Sequence, residues 1–229
     1  MSRREVHWAF LGRVGYAAAQ ALQERVREEV KRGVGPERLL LLEHDHVYTV
    51  GRNGSVGEVL AAGGLEVVEC DRGGRVTYHG PGQLVGYPVI SLSPDRRDVR
   101  RYVRDLQGTI VEVLAGYGIE GEAREGPDFV GVWVGGAKIA SIGVHLSRWV
   151  TTHGFALNVT TDMKMFGGIV PCGLEGVEIT SIERLTGRRP GLREVAERYA
   201  GVFAERFGRQ AVAAAPAGWP VAEAAALVG

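Results

Sequence analysis

The chain has 229 residues, with 27 basic and 27 acidic side chains and no net charge at pH 7 when histidine is neutral. This balance argues against nucleic-acid binding driven by phosphate neutralisation. The sequence contains neither a run of about 20 apolar residues nor the apolar core of a secretory signal, so we expect no contact with a membrane. Two cysteines, Cys70 and Cys172, are too few for a disulfide scaffold and are typical of a single cytoplasmic domain.

The first half of the chain predicts one long helix followed by several short strands. Apolar residues at helical spacing predict a helix over residues 13–32, which Gly33 ends. A shorter helix is predicted in SVGEVLAAG. Strand-like runs are RLLLLEH, VYTVGR, LEVVECDRGG, RVTYHG and LVGYPVISL.

The second half predicts a helix, three strands and another helix. Ser93-Pro94-Asp95 is typical of a helix start, because serine caps, proline suits the first turn and an acid favours the positive helix end. The runs FVGVWVGG, KIASIGVHL and WVTTHGFALNV are joined by glycine turns and predict antiparallel hairpins. A last helix is predicted over 191–207. Strands cluster without regular strand–helix alternation, so we predict an α+β fold with helices on one side of a mostly antiparallel sheet.

Cys172 lies in the turn FGGIVPCGLEG, which favours display of the thiol over burial. Pro171 fixes the backbone before it, and Gly173 permits a sharp turn and close approach of another group after it. A free thiol has a pKa of about 8.5, so a nucleophilic cysteine needs a nearby cation or base. The local sequence leaves a catalytic and a structural Cys172 both open, whereas Cys70 follows the apolar run LEVVE and is interpreted as structural.

Lys138 is one of only three lysines in a chain whose other basic residues are arginines. A surface charge would be served equally well by arginine, but only lysine can give up its proton. Lys138 is therefore a candidate both for stabilising a thiolate and for carrying a proton, with an exposed hairpin charge as the alternative. His79, His145 and His153 are further candidate bases.

The stretch RGGRVTYHGPGQLVGYP has glycines on both sides of a short strand. Such glycines let the backbone approach a ligand, with Arg72 and His79 at the two ends, although a glycine-rich hairpin explains them equally well. The stretch is neither a P-loop nor a dinucleotide fingerprint. His44-Asp45-His46 is not completed by further acids or cysteines, so we expect no metal site.

Three segments together are far more specific than any one of them. RGGRVTYHGPGQLVGYP, GGAKIASIGVHLSRWVTTHGFALNV and DMKMFGGIVPCGLEGVEITSI resemble the lipoyl(octanoyl) transferase family, also called lipoate–protein ligase B. The resemblance implies the fold of the biotin/lipoate protein ligase catalytic domain, α+β around a mixed, largely antiparallel sheet with flanking helices. It also implies transfer of an octanoyl group from acyl carrier protein to a lysine of a lipoyl domain, the first step of endogenous protein lipoylation.

The resemblance assigns roles to particular residues. Cys172 becomes the acyl-thioester nucleophile and Lys138 its partner. The implied substrate-binding residues are Arg72, Gly73, Gly74, Arg75, Val76, Thr77, Tyr78, His79, Ser141, Ile142, Gly143, Gly154, Phe155 and Ala156. No cofactor or metal is implied.

The resemblance also implies partners and boundaries. The donor would be octanoyl-acyl carrier protein, and the acceptors would be lipoyl domains of 2-oxoacid dehydrogenase complexes and the glycine cleavage H protein. We expect a monomer whose catalytic domain spans 1–210, with an alanine-rich tail at 211–229.

Several finer hypotheses follow. Val76, Tyr78, Ile142 and Phe155 would wall an acyl slot, and bulk at Gly154 would favour shorter chains. Amides near Pro171–Gly173 or Gly73–Gly74 would hold the oxyanion. An arginine-rich helix face would dock an acidic carrier protein, with an ordinary solvated face as the alternative. Its members are Arg97, Arg101 and Arg104, with Arg96 and Arg100 alongside.

Three other functions stay open. An ATP-dependent lipoate or biotin ligase would share the fold but need no nucleophilic cysteine. A cysteine hydrolase would use a Cys172–His pair with water as acceptor. A non-catalytic module that binds an acyl carrier would have a merely structural Cys172.

Overall fold

The computed structural model describes residues 3–126, 129–169, 176–215 and 219. Its helices are α1 (Tyr16–Arg32), α2 (Val99–Ala115), α3 (Ile182–Thr186) and α4 (Leu192–Arg206). Its strands are β1 (Arg4–Arg13), β2 (Glu37–Glu43), β3 (Val47–Val50), β4 (Glu66–Glu69), β5 (Val76–His79), β6 (Gln83–Val89), β7 (Glu122–Arg124), β8 (Gly131–Val134), β9 (Ala137–Ser147), β10 (Val150–Asn158) and β11 (Arg209–Ala213). Short 3-10 turns cover Val56–Glu58 and Met163–Gly168.

Eight strands form one mixed sheet in the order β11-β1-β2-β6-β10-β9-β8-β7. The pairs β11–β1 and β1–β2 are parallel, and every other pair in this sheet is antiparallel. The two predicted hairpins that join β8, β9 and β10 are confirmed. The α+β class with a largely antiparallel sheet is therefore confirmed.

The large sheet is covered by helices on both faces. Along β2, Leu39 and Leu41 belong to the core under α2 and α4, whereas Leu40 and Leu42 belong to the core under α1. Successive strand residues point to opposite faces, and an unbroken apolar run such as LLLL is typical of a strand buried on both. The expectation that the helices lie on one side was therefore wrong.

A second sheet of three strands, β4-β3-β5, lies beside the large one. Thr77 and Tyr78 of β5 point to opposite faces of it. The Tyr78 ring packs 5.3 Å from Phe166 and 5.8 Å from Tyr48, measured between ring centroids. This small sheet carries the glycine-framed segment predicted to bind substrate.

Some predicted boundaries were wrong. Helix α2 begins at Val99, after Ser93-Pro94-Asp95, because the Asp98 carboxylate accepts a hydrogen bond from the Arg101 amide at 3.0 Å and caps the helix there. Strand β1 falls in a stretch that the sequence patterns had left unassigned. It is held between two parallel neighbours, which a local pattern does not reveal.

The predicted tail boundary at residue 210 falls inside β11, which pairs with β1. Trp219 is buried against the α1 side of the sheet, and the Arg38 guanidinium lies 5.6 Å from its ring centroid. Among the described residues, no helix is long and apolar enough to cross a membrane.

Candidate active site

A cavity of about 630 Å³ opens where β8 and β9 part. β8 pairs with β9 only as far as Ser141. Farther along β9, the Gly73 amide donates to the Val144 carbonyl at 3.0 Å. The loop before β5 therefore replaces β8 as the hydrogen-bonding neighbour of β9 there. The cavity fills the space between these two partners of β9.

The cavity lining brings together residues from three distant parts of the sequence. Lys138 and every predicted substrate-binding residue except Tyr78 line it: Arg72, Gly73, Gly74, Arg75, Val76, Thr77, His79, Ser141, Ile142, Gly143, Gly154, Phe155 and Ala156. Tyr78 points away, and its hydroxyl lies 2.7 Å from His46 Nδ1. Of the four proposed slot walls, Val76, Ile142 and Phe155 therefore face the cavity.

Lys138 is almost fully buried, with 3% of its surface exposed. Its amide donates to the Glu178 carbonyl at 2.8 Å, and its carbonyl accepts from the Thr180 amide at 2.9 Å. Its Nζ lies 5.5 Å from the Trp133 ring centroid, where the ring face attracts a cation. The segment around residues 178–180 thus fixes the backbone that carries this ammonium group.

Gly131 makes room for the Lys138 side chain. A Cβ at this position would lie 2.7 Å from Lys138 Cε and 2.4 Å from the Ala140 carbonyl oxygen. Both distances are shorter than real carbon contacts, so only glycine lets the lysine stem lie against β8. The glycine-rich sequence FVGVWVGG shows no direct sign of this contact.

Cys172 lies outside the described residues, as do its neighbours from Val170 to Glu175. The chain on either side is described. Ile169 pairs with Val59, and Ile179 pairs in parallel with Lys138. The connection that carries Cys172 thus begins beside the small sheet and returns beside Lys138.

A chain of buried hydrogen bonds runs beneath the cavity. The Arg72 guanidinium donates to the Thr49 carbonyl at 2.7 Å and to its hydroxyl oxygen at 2.8 Å. The Thr49 hydroxyl lies 3.3 Å from His79 Nε2, and His79 Nδ1 lies 2.8 Å from Gln83 Oε1. The Asn158 amide then accepts from Gln83 and donates to the Thr180 carbonyl at 3.1 Å. This chain connects the Arg72 loop to the segment that holds Lys138.

This series of buried hydrogen bonds fixes the tautomer of His79. Gln83 Nε2 uses its two hydrogens on the Tyr78 carbonyl and on Asn158 Oδ1, so Oε1 faces His79 and accepts from Nδ1. Nε2 then accepts from the Thr49 hydroxyl. Burial lowers the pKa of His79 well below its usual value, and neighbouring His44 adds to the effect. His79 is therefore held neutral, which favours a positioning role over proton transfer.

His153 adopts a backbone conformation that is costly for a residue with a Cβ, at φ +56°. Its amide donates to Gln23 Oε1 at 2.7 Å, and its Nε2 lies 2.7 Å from the Asp71 carboxylate. The hydrogen bond from His153 lowers the pKa of Asp71 to about 2. These two partners hold the imidazole at the cavity wall, so His153 is part of the site.

The predicted oxyanion donors are only partly available. The Gly73 amide already donates to the Val144 carbonyl, so it has no hydrogen left for a substrate oxygen. Gly74, at φ +84°, lines the cavity and keeps the hypothesis open for its own amide. The Pro171–Gly173 alternative lies outside the described residues.

His44 gives the fold a predicted sensitivity to acid. Its Nδ1 donates to the Val14 carbonyl at 2.6 Å, its Nε2 accepts from the Tyr87 hydroxyl at 2.7 Å, and burial lowers its pKa to about 4. The unfolded chain binds a proton near pH 6.5, whereas the folded chain stays neutral until about pH 4. As the pH is lowered from about 6.5 to about 4, protonation of His44 in the unfolded chain should therefore lower the free energy of unfolding by about 1.4 kcal/mol per pH unit.

Urea unfolding at several pH values tests this expectation. In His44→Gln, the slope of the free energy of unfolding against pH should be smaller by about 1.4 kcal/mol per pH unit between pH 6.5 and 4. A slope that is the same in the variant and the parent protein would show that His44 does not titrate as its burial indicates.

Several residues of the site were not singled out as ligand-binding or supporting positions from the sequence. Thr49, Gln83 and Asp71 act by contacts with residues that are 30, 75 and 82 positions away, and Gly131 acts through its fit against Lys138. Gln83 within PGQL carried the clearest available signal, because a polar residue opens an otherwise apolar strand. The others lie in patterns shared by ordinary turns and strands.

Comparison with known proteins agrees with the geometry. The family model for the lipoyl protein ligase A/B catalytic domain matches residues 15–204. An octanoyltransferase of Solibacter usitatus is 52% identical over 203 residues, which cover 86% of this chain and 90% of that protein. An octanoyltransferase of Geobacter metallireducens is 49% identical over 193 residues, which cover 84% and 89%.

Solved structures share the fold at low sequence identity. A lipoate-protein ligase A bound with ATP superposes with a TM-score of 0.74 at 16% identity, covering 97% of this chain and 93% of that one. Ta0514 of T. acidophilum, a putative lipoate protein ligase with bound lipoic acid, gives 0.74 at 17% identity and covers 93% and 89%. The predicted fold is thereby confirmed. The chain belongs to the lipoyl protein ligase A/B catalytic-domain family and, within it, to the octanoyltransferases, which are acyltransferase enzymes.

Proposed function

We propose that the protein transfers an octanoyl group from octanoyl-acyl carrier protein to a lysine of lipoyl domains, through a thioester on Cys172. The observation that carries the proposal is the buried Lys138 ammonium group at the wall of a partly apolar cavity, on the strand bordered by residues 178–180. Acceptors would be lipoyl domains of 2-oxoacid dehydrogenase complexes and the glycine cleavage H protein. A cytoplasmic, monomeric enzyme remains part of the proposal.

The first half-reaction exchanges one thioester for another. The Cys172 thiolate attacks the carbonyl carbon of the donor, and the bond from that carbon to the donor sulfur breaks. The donor leaves as a thiolate, which takes a proton from the Lys138 ammonium group, leaving that lysine neutral, or from water. Since a thioester replaces a thioester, the acyl group stays activated and no nucleotide is consumed.

The second half-reaction forms an amide. The acceptor's lysine nitrogen attacks the Cys172 thioester, the bond from carbon to sulfur breaks, and the nitrogen loses a proton. That proton passes to neutral Lys138 or to the departing Cys172 thiolate. Lysine can accept this proton and arginine cannot, because the guanidinium group stays charged at any physiological pH.

Chain geometry supports a meeting of Cys172 and Lys138. Cys172 lies six positions before Glu178, whose carbonyl accepts from the Lys138 amide. Six residues extend at most about 20 Å, so the length of this connection allows the thiol to reach the lysine. An ammonium group beside the sulfur favours the thiolate by charge attraction.

The proposal differs from ATP-dependent ligation in a way that one assay separates. Purified protein, octanoyl-acyl carrier protein and a lipoyl domain are incubated without ATP, and octanoylation of the acceptor is followed by mass spectrometry. We expect transfer without ATP. A requirement for ATP with free octanoate would instead favour a ligase, and release of octanoate to water would favour a hydrolase.

The cavity predicts a measurable preference for chain length. An octanoyl chain has about six methylenes, and each contributes roughly 0.8 kcal/mol when it is buried. Ser141 lines the cavity opposite Ala156, which lines it from the neighbouring strand. Ser141→Leu should shorten the slot and lower the octanoyl-to-hexanoyl ratio of kcat/KM by about tenfold.

The control for this prediction is Ser147→Leu, a half-buried position on the same strand that does not line the cavity. An unchanged ratio in Ser141→Leu would contradict the placement of the acyl chain. Bulk at Gly154 is a poorer test than the sequence indicated, because a Cβ there would lie 2.3 Å from the Gly86 carbonyl oxygen and push β10 off β6.

A further inference from the structure

Two arginines of α2 stand at the exposed end of the cavity. Arg100 and Arg104 are four residues apart, so they lie one helical turn from each other on the same face, and both line the cavity and are exposed. Val99, 42% exposed, and Val103 line the cavity beside them. This end of the cavity thus combines positive charge with an apolar surface.

The remaining arginines near the start of α2 are held elsewhere. Arg96 is buried, forms an ion pair with Asp105 and lies over the Phe207 ring at 4.8 Å. Arg97 donates to the Ser93 hydroxyl at 2.7 Å, and Arg101 lies 3.9 Å from the Asp105 carboxylate. Neither Arg97 nor Arg101 lines the cavity.

The arginines predicted to dock the carrier protein therefore fall into two groups, one that lines the cavity and one that does not. Of its members, Arg100 and Arg104 are the two that line the cavity. Arg104 has the exposed Glu125 carboxylate 3.9 Å away, too far for a hydrogen bond. Both guanidinium groups remain in contact with solvent, where they can meet an anion.

We propose that Arg100 and Arg104 bind the phosphodiester of the phosphopantetheine arm that carries the acyl group. This inference rests on the proposed function, because it assumes a thioester donor. Such an arm has a thioester at one end and a phosphodiester at the other. Lys138 and the two α2 arginines line the same cavity, so an arm with its thioester beside buried Lys138 that leaves by the exposed end would bring the anion to those arginines.

The chemistry of both partners suits this contact. A guanidinium group offers a planar pair of N–H donors that matches two phosphate oxygens, and hydrogen bonds between charged groups are stronger than neutral ones. The apolar Val99 and Val103 side chains suit the hydrocarbon part of the arm. An acidic surface on the carrier protein itself is the competing partner, and the experiment separates the two.

The test compares three octanoyl donors with the double variant Arg100→Gln/Arg104→Gln. Octanoyl-acyl carrier protein and octanoyl-coenzyme A both carry phosphate on the arm, whereas octanoyl-pantetheine has none. We expect kcat/KM to fall by about tenfold, roughly threefold for each exposed arginine, with the two phosphate-bearing donors. With octanoyl-pantetheine it should stay within about twofold, which also shows that the variant is folded.

Arg97→Gln/Arg101→Gln is the matched control, with the same charge removed from positions outside the cavity lining, and should change none of the three rates. An equal loss with all three donors, or no loss with any, would overturn the proposal. A loss with the carrier protein alone would also overturn it and assign the arginines to the carrier's surface. A parent enzyme that transfers octanoyl from no donor would count against the proposed function, which is a separate result.

Discussion

Replacing Cys172 by alanine is expected to abolish octanoyl transfer, with a loss of at least about a thousandfold in kcat. The variant keeps the cavity and Lys138 but has no sulfur to receive the acyl group, so direct attack by the acceptor's lysine is the only route left. Transfer is measured as octanoylated lipoyl domain formed per minute from octanoyl-acyl carrier protein.

Cys70→Ala is the matched control for this prediction. Cys70 is half-buried, its thiol lies 3.5 Å from the Val50 carbonyl oxygen, and it does not line the cavity. It should keep near-parental activity. Full activity in Cys172→Ala would show that the acyl group never rests on this residue and would favour direct transfer.

Lys138→Met is expected to lower kcat/KM by about a hundredfold to ten-thousandfold at pH 7. Methionine keeps much of the buried stem beside Gly131 but removes the ammonium group. Without that charge, the pKa of Cys172 should rise towards the ordinary thiol value of about 8.5, so part of the activity should return as the pH is raised.

The rate of iodoacetamide alkylation against pH reads the Cys172 thiolate directly, in a Cys70→Ala background. Lys31→Met is the control, since Lys31 pairs with Glu28 at 2.8 Å on α1 and does not line the cavity. If the alkylation profile of Lys138→Met matches that of the parent, Lys138 does not stabilise the thiolate.

Lys138→Arg separates the two roles of the lysine. Arginine keeps the positive charge but cannot give or take a proton at neutral pH. We therefore expect acylation of Cys172 to survive better than transfer to the acceptor. Equal losses in the two half-reactions would argue that charge, or the shape of the slot against Gly131, is all that matters.

Much of the fold could be predicted from the sequence, because apolar spacing and glycine turns are local patterns. Helix α1 and the strand run from β8 to β10 follow from apolar spacing and glycine turns, and they appear close to where they were predicted. Strand β1 and the start of α2 were missed. The first depends on parallel neighbours that are distant in sequence, and the second on a side-chain cap at Asp98.

The candidate site was predictable to a similar degree. Lys138 was singled out because the sequence has only three lysines. The glycine-framed loop was singled out by its resemblance to a family motif, and it does line the cavity. The buried support of His79 by Thr49 and Gln83 was not predictable, since it depends on tertiary contacts between strands. The choice of Arg100 over Arg101 at the cavity depends on the rotation of α2, which a misplaced helix start obscures.

The central claim is that the octanoyl group rests on one particular sulfur between donor and acceptor. It is tested most directly by mixing the parent protein with octanoyl-acyl carrier protein, without acceptor, and mapping peptides by mass spectrometry. We predict one octanoyl group on the peptide that contains Cys172, none on the peptide that contains Cys70, and its disappearance when a lipoyl domain is added. An unmodified Cys172 peptide in a preparation that still octanoylates the lipoyl domain would contradict the account.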